Sequence, residues 1–93
     1  MIVLILERVT PSVRGELTRW LIQPKTGVFV GRVSARVRDR LWERIVKSRR
    51  DGAALLVHAA ETEQGFAIRT AGETSKLMWD FEGLILPKTP VSR

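Results

Sequence analysis

The chain begins with an unbroken run of aliphatic and β-branched residues, Ile2 to Leu6, which predicts a strand buried on both faces rather than a half-exposed one. Glu7 to Val9 carries it out to solvent. Thr10 followed by Pro11 reads as an N-cap with proline at the first helical position, and Val13, Leu17, Trp20 and Leu21 then recur at helical spacing over about three turns. Gln23-Pro24-Lys25-Thr26-Gly27 ends that periodicity, with Ile22 to Lys25 as a short edge strand where Pro24 is tolerated. Val28 to Val30 is a clearer strand. Gly31 permits a bend, and Ser34 opens a second helix with Val37, Leu41 and Ile45 on one row, Trp42 and Val46 beside them, and Asp51-Gly52 at its close. Ala53 to Ala60 is again continuously apolar, Thr62 to Gly65 turns the chain, and Phe66 to Thr70 returns antiparallel. β character resumes from Met78 to Leu86 around Gly83, and Pro87 and Pro90 stop it.

The order βαββαβ with extra β segments predicts an α+β, ferredoxin-like sheet carrying both helices on one face. Residues 1–77 form the core in this reading, and residues 78–93 form a C-terminal β extension and tail that docks a partner. Two helices cover one side only, yet Val3 and Ile5 point away from Ile2, Leu4 and Leu6, and Leu56 points away from Leu55 and Val57. An apolar face left bare predicts a homodimer through it, hiding roughly 800 Å² per subunit.

Charge narrows the partner. The 93 residues carry 16 basic and 10 acidic side chains, net +6, and a dimer would carry twice that, +12. Twelve of the basic residues are arginine, which suits bidentate contact with phosphate. Nucleic acid is therefore the leading partner class. The absence of cysteine excludes disulfides and thiolate metal sites. The opening apolar run is too short for a signal peptide or a membrane span, so a cytoplasmic protein with no membrane partner is expected.

Arg32, Arg36, Arg38 and Arg40 fall within nine residues of a strand-to-helix junction. If the first and third strands are central, parallel neighbours, the two helices start side by side, and Arg8 and Arg14 join Arg32, Arg36 and Arg38 at one edge. The loop carrying Lys76 ends there too. Cations in a helix's first turn oppose its dipole, so a phosphate taken up by the helix N–H groups and the arginines together would relieve the conflict. Arg38 lies on the apolar arc between Leu41 and Trp42, where the alternative is a pairing with Glu7, Glu16 or Asp39. Arg40, Arg44 and Lys47 share the outer face with Glu43 and read as solvated. Trp20 and Trp42 read as core, and His58, inside an apolar strand, as a satisfied core or interface residue. Glu7 is the one acidic residue placed near the basic edge. A metal shared by Glu7 across a dimer axis is the catalytic alternative, against a carboxylate simply paired with Arg8 or Arg14.

Four segments in order, ERVTPSVRGELTRW from Glu7 to Trp20, GVFVG followed by SARVRDRLW, the TEQGF turn and the DFEGL segment, resemble the CRISPR-associated protein Cas two family, type I-E subfamily. The resemblance runs from Ile2 to about Leu86. It implies a ferredoxin-like homodimer at the centre of the CRISPR adaptation complex, between dimers of the integrase subunit, Cas one. There it supports the middle of a double-stranded DNA protospacer as a scaffold that needs no cofactor. Arg14, Arg36 and Arg38 match positions that are basic on this subfamily's DNA-facing edge. Ser12 and Ser75-Lys76 depart from basic residues familiar there, and Arg8 and Arg32 are expected to replace them. Other members of the wider family are described as nucleases dependent on Mg²⁺ or Mn²⁺, using an acidic residue, commonly aspartate, at the end of the first strand. LILERV offers Glu7 instead, so an endonuclease, often named an endoribonuclease in this family, is the alternative expectation.

Overall fold

A computed structural model describes residues 1–48 and 52–74. Five strands, β1 (Ile2–Leu6), β2 (Ile22–Lys25), β3 (Val28–Gly31), β4 (Ala54–Ala59) and β5 (Phe66–Ala71), form one sheet in the order β2-β3-β1-β4-β5. Helices α1 (Pro11–Leu17) and α2 (Ala35–Ser48) follow β1 and β3. All four strand pairings are antiparallel. This is the ferredoxin-like α+β arrangement, with β5 added at the edge beside β4. The β segment expected from Met78 to Leu86, and the division at residue 77, lie outside the described residues.

Local chemistry sets the elements. Thr10 Oγ1 accepts from Val13 N–H at 3.2 Å, and Pro11 supplies the fixed φ of the first helical position. Ser34 caps α2 in the same way, its Oγ accepting from Val37 N–H at 3.2 Å. The apolar stripes of the two helices, Val13 and Leu17 on α1 and Leu41 and Ile45 on α2, pack on one sheet face against Ile2, Leu4, Leu6, Phe29, Ala54 and Leu56. Arg44 ties the helices together: its Nε donates to Glu16 Oε1 at 2.9 Å, Nη1 to Ser48 Oγ at 2.8 Å and Nη2 to Ser12 Oγ at 3.1 Å. Ser12, a departure from the basic residue of the resembled subfamily, thus holds an arginine of the neighbouring helix.

Trp20 departs from expectation. It is 49% exposed rather than core. The helix ends at Leu17, and Arg19 and Trp20 donate to Glu16 O and Leu17 O, three residues back. Trp20 thus lies in the turn that follows the helix, where the helical spacing that put it on the apolar arc no longer applies. Trp42 does pack against the core.

The opposite sheet face is apolar, as the alternation requires, and holds Ile5, Val28, Ala53, Leu55 and Val57 with Val3, Val30 and Phe66 beside them. The first five are already buried in the single chain. The bare area inferred from the pattern therefore shrinks to Val3, Val30 and Phe66, with Ile22 and Ile68 exposed on the two edge strands.

Candidate nucleic-acid interface

Strand direction decides where the cations stand. β1 runs from Ile2, beside Gly31, to Ile5, beside Val28, so β3 runs opposite to it. The expectation of parallel neighbours is wrong, because β2 and β3 form a hairpin through Thr26-Gly27 that reverses the chain. α1 therefore starts at the Leu6 end of the sheet and α2 at the Ile2 end, about 13 Å apart along the strands.

The predicted basic set is split accordingly. Arg8 stands at the Leu6 end, and Arg14 lies one turn into α1 from that end. Arg32 and Arg36 stand at the Ile2 end, before and within the first turn of α2. β5 delivers the chain back to the Leu6 end, where Ala71 sits beside Ala54, and Lys76 lies outside the described residues. Arg8, Arg14, Arg32 and Arg36 are all exposed, and their side chains form no hydrogen bond or ion pair among the described residues.

Arg38 is different. Only 17% of its side chain is exposed; Nε donates to Asp39 Oδ1 at 3.0 Å, and Nη1 lies 3.1 Å from His58 Nδ1. The same Nδ1 lies 2.9 Å from Ala59 O; a guanidinium only donates and a carbonyl only accepts, so Nδ1 satisfies one of these two contacts at a time. Asp39 Oδ1 also takes Arg69 Nη1 at 2.9 Å, which links the start of α2 to β5. Of the alternatives weighed for Arg38, the pairing with Asp39 is the one formed. His58 is the satisfied, buried histidine expected of its strand.

These bonds have a pH signature. The hydrogen bond from Arg38, followed by the one from Arg69, holds the Asp39 carboxyl below its ordinary value. A carboxyl lowered on folding stabilises the fold above its unfolded pKa, near 3.9, and loses that contribution as pH falls through the folded value. Asp39→Asn should lower the melting midpoint slightly at pH 7, with the gap to the parent closing in strong acid. An unchanged gap from pH 7 to pH 2 would show that the carboxylate charge is not involved.

Glu7 is committed to the backbone. Its N–H donates to Ala53 O at 2.9 Å and its Oε1 accepts from Ala53 N–H at 3.0 Å, extending the β1–β4 ladder by a side chain. The pairing with Arg8 or Arg14 expected for it does not form. Among the described residues no group of three or more His, Cys, Asp or Glu is placed to hold a metal ion. No helix among them is long and apolar enough to cross a membrane.

The arrangement can neutralise a polyanion at several separated points, through cationic side chains that no carboxylate occupies among the described residues. Arg40 and Lys47 belong with them: both are exposed, and neither has a partner among the described residues. Their helical spacing from Arg36 was visible in the sequence, but spacing alone does not separate a solvated face from a binding one.

A family model for CRISPR-associated proteins (Cas_Cas2CT1978) matches residues 1–86 of the chain.

Proposed function

The chain belongs to this CRISPR-associated family, and from that premise we propose that it is a non-catalytic scaffold for double-stranded DNA in spacer acquisition. In this reading it works as a homodimer of the type I-E kind, holding a protospacer duplex for the integrase partner in antiviral defence. The observation that carries the proposal is the set of exposed arginines without acidic partners among the described residues, Arg8, Arg14, Arg32 and Arg36, on a chain of net +6. The commitment of a Glu7 oxygen to Ala53 N–H supports a structural role for the carboxylate on which the nuclease alternative depends.

The test is a duplex titration across salt, with and without the integrase subunit. Neutralising Z phosphates gives a log–log slope near −0.9Z that is insensitive to DNA sequence. Absence of duplex binding in both settings would sink the scaffold. So would Mg²⁺- or Mn²⁺-dependent cleavage of RNA or DNA that disappears in Glu7→Gln. Glutamine keeps an oxygen for Ala53 N–H, so that loss would report on the charge and not on the fold.

A further inference from the structure

We propose that the outer face of α2 is the surface that lies along a phosphate backbone of the bound duplex, an inference that rests on the DNA-binding reading above. At about 100° per residue, Arg36, Arg40, Glu43 and Lys47 fall within an arc of about 60°. They make one straight row rising about 16 Å along the helix axis. A duplex strand rises about 3.4 Å of axis per phosphate, so the row spans the axial rise of about five nucleotides.

α2 has sorted its cations by direction. Arg38, turned toward β4 and β5, is bonded to Asp39 and lies against His58, while Arg44, turned toward α1, is bonded to Glu16, Ser12 and Ser48. The side chains of the three that face solvent, Arg36, Arg40 and Lys47, make no bond among the described residues. The inward bonds fix the helix to its neighbours, so the outward row stands on a rigid element at constant spacing.

The face favours nucleic acid over an acidic protein. A protein interface is built round an apolar core. Val46 is the one large hydrophobic residue of α2 with substantial exposure, and it falls outside the arc of the row. Glu43, in the middle of the row, gives the surface a sign test: a carboxylate there weakens binding to phosphate.

The experiment compares three variants of the full chain in duplex titrations across salt. Arg36→Gln/Arg40→Gln/Lys47→Gln should melt like the parent, since it breaks no bond, yet flatten the log–log slope by about 2.7 for three lost phosphate contacts. Glu43→Gln should tighten binding at fixed salt. Arg8→Gln/Arg14→Gln, at the other end of the sheet, provides the comparison. If the triple variant keeps the parental slope while the Arg8/Arg14 variant flattens it, the α2 face is not the backbone surface and the scaffold reading stands. If the triple variant keeps the slope but no longer co-purifies with the integrase subunit, the row is a protein-docking surface and the inference is overturned. If the parent binds no duplex, with or without that subunit, the inference falls together with the proposed function.

Discussion

Phe29→Ala should lower the unfolding free energy by about 3–5 kcal/mol, the range for emptying a fully buried aromatic site. Phe29 has no exposed surface, and it faces the helices beside Leu4, its register partner, in the cluster that holds Leu17, Leu41 and Leu56. Every neighbour that might relax into the space belongs to a different element, and each is pinned by its own packing. Domains of this size have about 5–15 kcal/mol to lose, so the melting midpoint should fall on the order of 20 °C. Phe29→Leu keeps much of the buried volume and should lose distinctly less. Thermal and urea unfolding of the two variants measure this. A shift of only a few degrees for alanine would mean that the space collapses, and that Phe29 is not at the packed centre.

Gly27→Ala should be more damaging than the same change at Gly15 or Gly65, because two penalties coincide. Gly27 has φ +82°, and a Cβ there would meet Leu6 O at 2.7 Å. The left-handed backbone alone costs an ordinary residue roughly 1–2 kcal/mol. The clash is with backbone, and Leu6 N–H donates to Gly27 O at 2.8 Å, so the turn cannot move away without losing a bond to β1. Gly65 separates the two terms, since its φ is +86° but nothing lies within 4 Å of a Cβ, and Gly65→Ala should show the conformational cost alone. Gly15, inside α1 with open space around it, should gain roughly 0.5–1 kcal/mol as alanine. Denaturant midpoints should therefore rank Gly15→Ala above the parent, then Gly65→Ala, then Gly27→Ala. A midpoint for Gly27→Ala no lower than that for Gly65→Ala would contradict the close approach at Leu6.

Most elements were legible from the sequence because their signals are local. The apolar runs gave β1 and β4, Thr10-Pro11 and Ser34 marked both helix starts, and the turn before Phe66 placed β5. Strand direction is not local: nothing in Val28 to Gly31 states which way β3 runs beside β1, and only the hairpin at Thr26-Gly27 carries that information. Taking the wrong direction gathered Arg8 and Arg14 with Arg32, Arg36 and Arg38, where the fold separates them. The position of Arg38 on the apolar arc was read correctly, but its partner Asp39 is its own neighbour in sequence, and the bond depends on Arg69 and His58 arriving from strands that follow. Trp20 failed for a different reason, since period counting assumes that the helix reaches it, and α1 ends three residues earlier, at Leu17.

The sheet order also bears on synthesis. β1 begins more than fifty residues before β4, yet it is completed on one side by β4, whose His58 pairs with Ile2. At about 5–20 residues per second, the ribosome takes roughly 3–11 s to supply that partner. β3 arrives earlier and covers the other side, but throughout that interval one edge of a five-residue, entirely aliphatic strand lacks its final partner. A nascent chain stalled before Ala54 should therefore engage holding chaperones through Ile2 to Leu6, the segment that the finished sheet encloses between two neighbours.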